Sequence, residues 1–145
     1  MKTKINFRSA ILFILAVIML ISVISCGETI DKEGLWENAT YRKDMEFGSG
    51  AKTVTVEVKV GENAVNFTIH TDKSTVGEAL FEHELITGDQ GQYGLYIKTV
   101  NGILADYDID KSYWAFYVNG DYALTGVDTT EIDETAKYQL VYTKE

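Results

Sequence analysis

The chain has 145 residues, 46% of them hydrophobic, and a formal net charge of −9, so it is long enough for one domain with a buried core but not for two. Three of its 13 basic residues precede Glu28, the first acidic residue, which leaves 10 basic residues against 22 acidic ones in the rest of the chain. A surface this acidic repels nucleic acid and anionic lipid headgroups, and the single cysteine excludes a disulfide within the chain.

The first 25 residues have the pattern of an export leader. Lys2, Lys4 and Arg8 precede a largely apolar segment of 15 residues from Ala10 to Ile24, which is shorter than the roughly 20 residues of a membrane span and typical of a signal peptide. Its end, Val-Ile-Ser-Cys at residues 23–26, resembles the bacterial lipobox. We therefore expect lipidation at Cys26 and a folded part outside the cytoplasm, anchored to the cell membrane by acyl chains. A retained apolar anchor, or ordinary cleavage beside an incidental thiol, is the alternative.

Residues 26–50 are expected to form a partly ordered tether that joins the lipid to a domain at residues 51–145, because they are rich in glycine and charged residues. A pure spacer gains nothing from exposed aromatic side chains. The segment Leu35–Phe47 nevertheless carries Trp36, Tyr41, Met45 and Phe47. We therefore expect this segment to pack partly on the domain as an added edge strand.

A hairpin and a helix are predicted next. Valines alternate with polar residues over Thr53–Val60, and a second alternating segment follows the turn at Gly61-Glu62-Asn63, which is typical of two half-buried strands. Thr75 and Glu78 then form a capping-box pattern, and apolar residues at helical spacing predict one short helix to about Leu85.

The remaining chain is predicted to be a loop and three further β segments. Thr87–Gly94 contains three glycines at a spacing that matches no phosphate-binding motif, so it is predicted to be a loop. The strands expected after it are Leu95–Val100, Tyr113–Val118 with a return at Tyr122–Leu124, and Tyr138–Thr143, with Asn-Gly turns after residues 100 and 118. The pattern indicates an α+β, β-grasp-like domain: an antiparallel or mixed sheet with one short helix packed on one face.

Several of these segments together resemble the bacterial DUF4430 domain, which is similar to the C-terminal β-domain of the cobalamin carriers. The resemblance covers about residues 50–143. It is carried by the segments Tyr93-Gly94-Leu95-Tyr96, Val100-Asn101-Gly102, Tyr113 to Gly120, Gly126-Val127-Asp128 and Tyr138 to Thr143. The chain departs from it at Asp133–Ala136, where many relatives carry an Asp-Gly turn. The resemblance implies cobalamin or a related tetrapyrrole as the ligand, and a second binding subunit or a transporter as the partner that completes the cavity.

Tyrosines are the candidate ligand-binding residues. If Val54, Trp114 and Phe116 face the helix, alternation places three tyrosines on the opposite, uncovered face of the sheet. These are Tyr96, Tyr113 and Tyr117, and the loop residues Tyr93, Tyr107 and Tyr122 extend the set. A flat aromatic surface suits a macrocycle, a glycan or another protein. Two alternatives need no ligand: cross-strand tyrosine pairs stabilise the sheet, or Leu35–Phe47 covers them.

Metal binding and catalysis have little support in the sequence. Asp106, Asp108 and Asp110 alternate, but the segment lacks the glycine and the glutamate of an EF-hand, so it is expected to be an acidic turn. His70 and His83 are expected at the surface or its boundary, and we predict no metal site. No hydrolase motif is present and the only thiol is assigned to acylation, so we predict no enzymatic activity.

These observations predict a membrane-anchored extracytoplasmic ligand-binding module that captures a corrinoid or another tetrapyrrole for uptake and binds no nucleic acid. The alternative is a surface module of the adhesin type that recognises a protein or a glycan through the open sheet and has no small-molecule ligand.

Overall fold

The structure is a computed structural model that describes residues 32–145, so the expected signal peptide and Cys26 lie outside the described residues. In chain order the elements are α1 (Lys32–Trp36), β1 (Met45–Gly48), β2 (Lys52–Val60), β3 (Asn63–Thr71), α2 (Val76–Glu82), β4 (Ile86–Gly91), β5 (Gly94–Val100), β6 (Ile103–Leu104), α3 (Tyr107–Asp110), β7 (Ser112–Val118), β8 (Asp121–Tyr122) and β9 (Tyr138–Lys144). None of the helices among residues 32–145 is long and apolar enough to cross a membrane.

Six strands form the main sheet, in the order β1-β3-β2-β9-β7-β8. The predicted hairpin is confirmed as the antiparallel pair β2 and β3, in which Val54 lies opposite Ile69 and Val58 opposite Val65. The C-terminal strand β9 lies between β2 and β7, parallel to β2 and antiparallel to β7. The sheet is therefore mixed, and the α+β class is confirmed.

The strand periodicity follows from burial on one face. Alternate residues of β2, from Val54 to Val60, are buried, as are Val65, Phe67 and Ile69 of β3, while the residues between them are exposed or half-buried. These side chains form one hydrophobic cluster with residues of α2 and of a second sheet, which is made of β4, β5 and β6. Trp114 is a core residue, and its Nε1 donates a hydrogen bond to the Ile103 carbonyl at 3.2 Å.

The predicted capping box of α2 is confirmed. Thr75 accepts a hydrogen bond from the Glu78 amide, and the Glu78 side chain accepts one from the Thr75 amide in return. The helix ends at Glu82 and not near Leu85, because Glu84 has a left-handed backbone with φ 56° that a helix cannot contain.

The expectation of a loop over Thr87–Gly94 is wrong. Ile86–Gly91 is strand β4, which pairs with β5 in a separate three-stranded sheet of order β4-β5-β6. The ladder shifts register between Thr87 and Gly88, and a Cβ on Gly88 would lie 2.1 Å from the Tyr96 carbonyl oxygen. A glycine was therefore needed inside this strand for close approach of two backbones, which sequence alone did not distinguish from a loop glycine.

The expectation of a single helix is also wrong, since α1 and α3 are present besides α2. Both are about one turn long and too short to give a periodic signal. Asp106 caps α3 by accepting a hydrogen bond from the Asp108 amide. The predicted edge strand at the end of Leu35–Phe47 is confirmed. It is β1, which pairs in parallel with β3, with Met45 opposite Phe67.

Both predicted Asn-Gly turns are confirmed. Asn101 and Asn119 have φ of 50° and 53°, and each is followed by a glycine at positive φ, as a tight two-residue hairpin requires. The second hairpin is shorter than expected. Its returning strand, β8, ends at Tyr122, and Leu124 is fully exposed.

Candidate functional site

Four tyrosines line a cavity of about 520 Å³ beside the outer edge of β7. A second depression of about 340 Å³ shares three of them and continues along β7 toward the segment 123–127. Together the two depressions form what we call the tyrosine groove, whose aromatic lining is Tyr96, Tyr107, Tyr113 and Tyr122.

The groove exists because β8 is short. β8 pairs only with Tyr117 and Val118, so within the described residues the rest of the outer edge of β7 has no strand partner. Tyr113 projects from β7 and Tyr122 from β8. Tyr96 comes from β5 in the other sheet. The gap between the two sheets is thus walled by tyrosines that are distant in the sequence.

The predicted tyrosines are not all brought together. Tyr96 does not share a sheet with Tyr113 and Tyr117, which corrects the expectation of one tyrosine-bearing sheet face. Tyr117 packs edge-on against Tyr122, with ring centroids 5.6 Å apart, and lies outside the lining. Tyr93 is 92% exposed, in the β4–β5 turn, and is also outside it.

The segment Leu35–Phe47 does not cover the groove. All lining residues of both depressions lie between residues 95 and 145. This segment packs elsewhere, against Phe67 and against the Asn101 side chain, which donates to the Tyr41 carbonyl and accepts from the Tyr41 amide, each at 2.8 Å. The alternative in which Leu35–Phe47 buries the tyrosines is therefore wrong.

Charged residues complete the lining: Lys98, Asp106, Asp108 and Glu145. The Tyr107 hydroxyl donates a hydrogen bond to Glu145 at 2.7 Å, and this bond raises the pKa of Tyr107. Burial raises the pKa of Tyr113, and the nearby Tyr122 and Glu145 add to the effect. Both phenols therefore remain protonated at neutral pH.

Lys98 and Glu145 were not expected among the lining residues. Lys98 lies two positions after Tyr96 on β5, so strand alternation could have placed it on the same face. Glu145 reaches the groove because β9 pairs with β7, and its amide donates to the Lys111 carbonyl. No local pattern indicates that pairing.

The three alternating aspartates have different roles. Asp106 caps α3, and Asp108 lines the groove. Asp110 accepts hydrogen bonds from Ser112 and from Lys144, which lower its pKa. They do not converge on one point.

The two histidines also lie apart from the groove. His70 bonds to Glu46 through Nε2 at 2.7 Å and to Thr53 through Nδ1 at 3.0 Å. His83 stacks on Phe47. Within residues 32–145 no group of three or more His, Cys, Asp or Glu side chains is arranged to hold a metal ion.

The Asp128 carboxylate links two segments that line the groove. Asp128 accepts a hydrogen bond from the Leu95 amide at 3.0 Å. A Cβ on Gly126 would lie 2.6 Å from this carboxylate, and one on Gly94 would lie 3.0 Å from it. Asp128 therefore holds the segment 123–127 against the start of β5, and glycines are needed on both sides of it.

The comparisons with known proteins agree with this fold. Residues 73–144 match the model of DUF4430, a domain of unknown function, and this region, which contains α2 and every strand from β4 onward, belongs to that family. Among curated proteins, none matches the chain significantly.

Solved structures also resemble the chain. A proposed metal-binding protein from Ruminococcus gnavus is 29% identical, with a TM-score of 0.61, over 65% of this chain and 98% of that one. Haptocorrin in complex with Cbi is 19% identical, with a TM-score of 0.50, over 68% of this chain. The match spans only 26% of the haptocorrin chain, and at this identity it indicates a shared fold.

Proposed function

We propose that this protein is a membrane-anchored extracytoplasmic module that binds a planar small molecule in the tyrosine groove and catalyses no reaction. The observation that carries the proposal is the convergence of four tyrosines from β5, α3, β7 and β8 on one cavity. Three of these rings stay substantially exposed, Tyr122 at 59%. Large rings left uncovered around a concave site are typical of ligand recognition.

The size of the groove is consistent with partial burial of a macrocycle. Its main cavity, about 520 Å³, lies within the roughly 300–1,000 Å³ range of small-molecule sites. A corrinoid or a related tetrapyrrole would lay its ring against the tyrosines and leave its other face open. The likeness to haptocorrin, found with Cbi, supports this ligand class.

A partner would cover the remaining face. The chain spans only 26% of haptocorrin, and one wall alone buries too little ligand surface for tight binding. We propose a second binding subunit or an uptake transporter in that role.

Strand order supports the β-grasp-like assignment. A β-grasp sheet begins with a hairpin, continues through a helix, and inserts its last strand beside the first, in parallel. The described chain has this order in β2, β3, α2 and β9, with β7 and β8 beyond β9. We therefore describe the domain as β-grasp-like, with β1 and the three-stranded sheet as additions.

The membrane anchor is proposed from the sequence pattern at Cys26. Metabolic labelling with a fatty-acid analogue should label the protein and should be lost in Cys26→Ala. Labelling that persists in this variant would contradict lipidation at Cys26.

Ligand binding is tested by titrating the purified chain with cobinamide and with haem while its tyrosine and tryptophan fluorescence is recorded. We expect saturable quenching by at least one of them, weakened about tenfold or more in Tyr96→Ala and Tyr122→Ala. Tyr93→Ala is the matched control, because Tyr93 is exposed and outside the groove. Equal losses in all three variants, or no quenching at all, would contradict the proposal.

A protein-binding surface is the second candidate. Leu124 is 100% exposed and lines the groove with Tyr122, and Ile109, which is 79% exposed, lies in α3 with Tyr107. Exposed apolar side chains that form a patch with aromatic rings are typical of protein interfaces. Absence of quenching by either macrocycle would favour this candidate.

A further inference from the structure

The residues that line the tyrosine groove carry a net negative charge. Three carboxylates, Asp106, Asp108 and Glu145, line its main cavity against one ammonium group, Lys98. The protein as a whole is also acidic. A ligand that enters the groove therefore meets a negative potential at long range and at contact.

The ammonium group of Lys98, the basic residue of the lining, is already paired with carboxylates. The Lys98 ammonium lies 3.6 Å from an Asp106 carboxylate oxygen and 3.9 Å from one of Asp89. The carboxylates left for a ligand are Asp108, which makes no side-chain hydrogen bond or ion pair within the described residues, and Glu145, one oxygen of which is bound by the Tyr107 hydroxyl. Asp108 and Glu145 are both exposed.

The aromatic rings of the groove already attract cations. The Lys111 ammonium lies 4.5 Å from the centroid of the Tyr107 ring, and that of Lys98 lies 5.9 Å from the centroid of the Tyr96 ring. Both distances are within the range in which a ring face attracts a positive charge. Aromatic rings recognise quaternary ammonium groups in many proteins, and carboxylates beside them add Coulomb attraction for the same charge.

We propose that the ligand of the tyrosine groove is an organic cation whose positive charge lies against the tyrosine rings beside Asp108 and Glu145. This inference rests on the proposed function for the location of the site, but not on the ligand being a macrocycle. Among planar tetrapyrroles it favours a cationic ring over haem, whose propionates the carboxylates repel. The phenols remain neutral, so they add no negative charge of their own.

The test compares two size-matched planar porphyrins of opposite charge, one with four N-methylpyridinium groups and one with four sulfonatophenyl groups. Quenching of intrinsic fluorescence gives the affinity of the purified chain for each. We expect the cationic porphyrin to bind at least about tenfold more tightly, with a ratio that falls as salt is added. Equal affinities, or tighter binding of the anionic porphyrin, would overturn the inference.

A matched pair of double variants separates the groove from the charge of the whole protein. Asp108→Asn with Glu145→Gln removes two negative charges at the groove, while Glu62→Gln with Glu84→Gln removes two from exposed positions outside its lining. We expect the groove variant to lose most of the preference for the cation and the distant variant to keep it. The same loss in both would mean that overall charge alone attracts the cation, which would overturn the inference.

A smaller probe pair keeps this inference distinct from the macrocycle proposal. Choline and its neutral carbon analogue 3,3-dimethylbutan-1-ol have nearly the same shape. If neither porphyrin binds, the macrocycle proposal fails, and NMR of the tyrosine rings with this pair decides the inference. Shifts with choline and not with the alcohol, reduced in the Asp108→Asn, Glu145→Gln variant, support it. No shifts, or equal shifts with both, overturn it.

Discussion

Two aromatic regions of the described domain differ in whether the backbone of residues 32–145 covers them. The first, which we call the arm cluster, comprises Tyr41, Phe47, Phe67 and His83, with ring centroids between 5.1 and 5.9 Å apart. The second is the tyrosine groove, where the Tyr107 and Tyr113 centroids are 6.5 Å apart and the rings border open space.

Backbone pairing accounts for the difference. In the arm cluster, β1 adds a strand beside β3 and brings Phe47 onto the core, while Asn101 binds the Tyr41 backbone from the other side. In the groove, β8 stops after two residues and the neighbouring sheet does not pair with β7. Within residues 32–145 a full strand therefore covers the arm cluster, whereas the groove is bordered by the two-residue strand β8.

The comparison indicates how to distinguish structural aromatic residues from functional ones in a small sheet domain. Their number and type do not decide it, since both regions are rich in aromatic rings. What decides it is whether backbone passes alongside them and removes them from water. Substitutions should therefore cost folding energy in the arm cluster and binding energy in the groove.

Phe67→Ala should have the largest effect on stability. Phe67 is 0% exposed and contacts both Tyr41 and Phe47, so its truncation leaves a cavity that should cost about 3–5 kcal/mol. The free energy of unfolding from a denaturant titration measures this, with Tyr93→Ala as an exposed control near zero. A loss below about 1 kcal/mol for Phe67→Ala would mean that the arm cluster is not closed in solution.

Asn101 should have the next largest effect. Its buried side chain makes two hydrogen bonds to the Tyr41 backbone, and its φ is 50°. Asn101→Ala should therefore cost about 2–4 kcal/mol, from groups left unpaired and from an alanine in the left-handed region.

Asn101→Gly is the matched control for the backbone contribution. Glycine adopts positive φ freely, so this variant should lose only the hydrogen bonds and be more stable than Asn101→Ala by about 1 kcal/mol. If the two variants have equal stability, the backbone conformation at this turn contributes nothing.

Loss of the capping box of α2, on the closed side of the domain, should have a smaller effect on stability. Thr75→Ala should cost about 1 kcal/mol. Backbone hydrogen bonds from Thr75 and Ser74 lower the pKa of Glu78 below its ordinary 4.5, so its charge stabilises the fold fully above that pH. This contribution is lost as the pH falls through the lowered pKa.

Glu78→Gln isolates the charge, because glutamine can keep the capping hydrogen bonds. The stability difference between the wild type and this variant should be constant above pH 4.5 and shrink on further acidification. Thermal unfolding at several pH values measures it. A difference that grows toward acid would contradict the assigned direction.

The elements with a clear period or a known turn chemistry could be predicted from the sequence. The alternation of apolar and polar residues predicted β2 and β3, and two Asn-Gly pairs predicted the hairpin turns. Thr75 with Glu78 predicted the start of α2. Each of these signals lies within a few neighbouring residues, where local sterics and hydrogen bonds decide the conformation.

What could not be predicted depends on pairing between distant segments. Apolar and polar residues do not alternate along strand β4 because most of the strand is exposed. Its Gly88 is needed for close approach to the backbone of Tyr96. The groove brings together Tyr96 from one sheet with Tyr113 from the other, and adds Glu145 through the pairing of β9 with β7. Residue type identified the tyrosines as candidate ligand-binding residues, but only the tertiary arrangement distinguishes those in the groove from Tyr93 and Tyr117.

Leu124→Ser should have the smallest effect on stability and therefore tests the open side most directly. Leu124 is 100% exposed beside the groove, so a serine there should change the free energy of unfolding by no more than about 0.5 kcal/mol. Denaturant titrations at two protein concentrations measure this and detect any association between copies. A loss above about 1 kcal/mol that depends on concentration would mean that another copy covers this side in solution. With stability unchanged, any weakening of porphyrin or partner binding in Leu124→Ser reports on recognition alone, because the side chain contributes nothing to the fold that it could otherwise disturb.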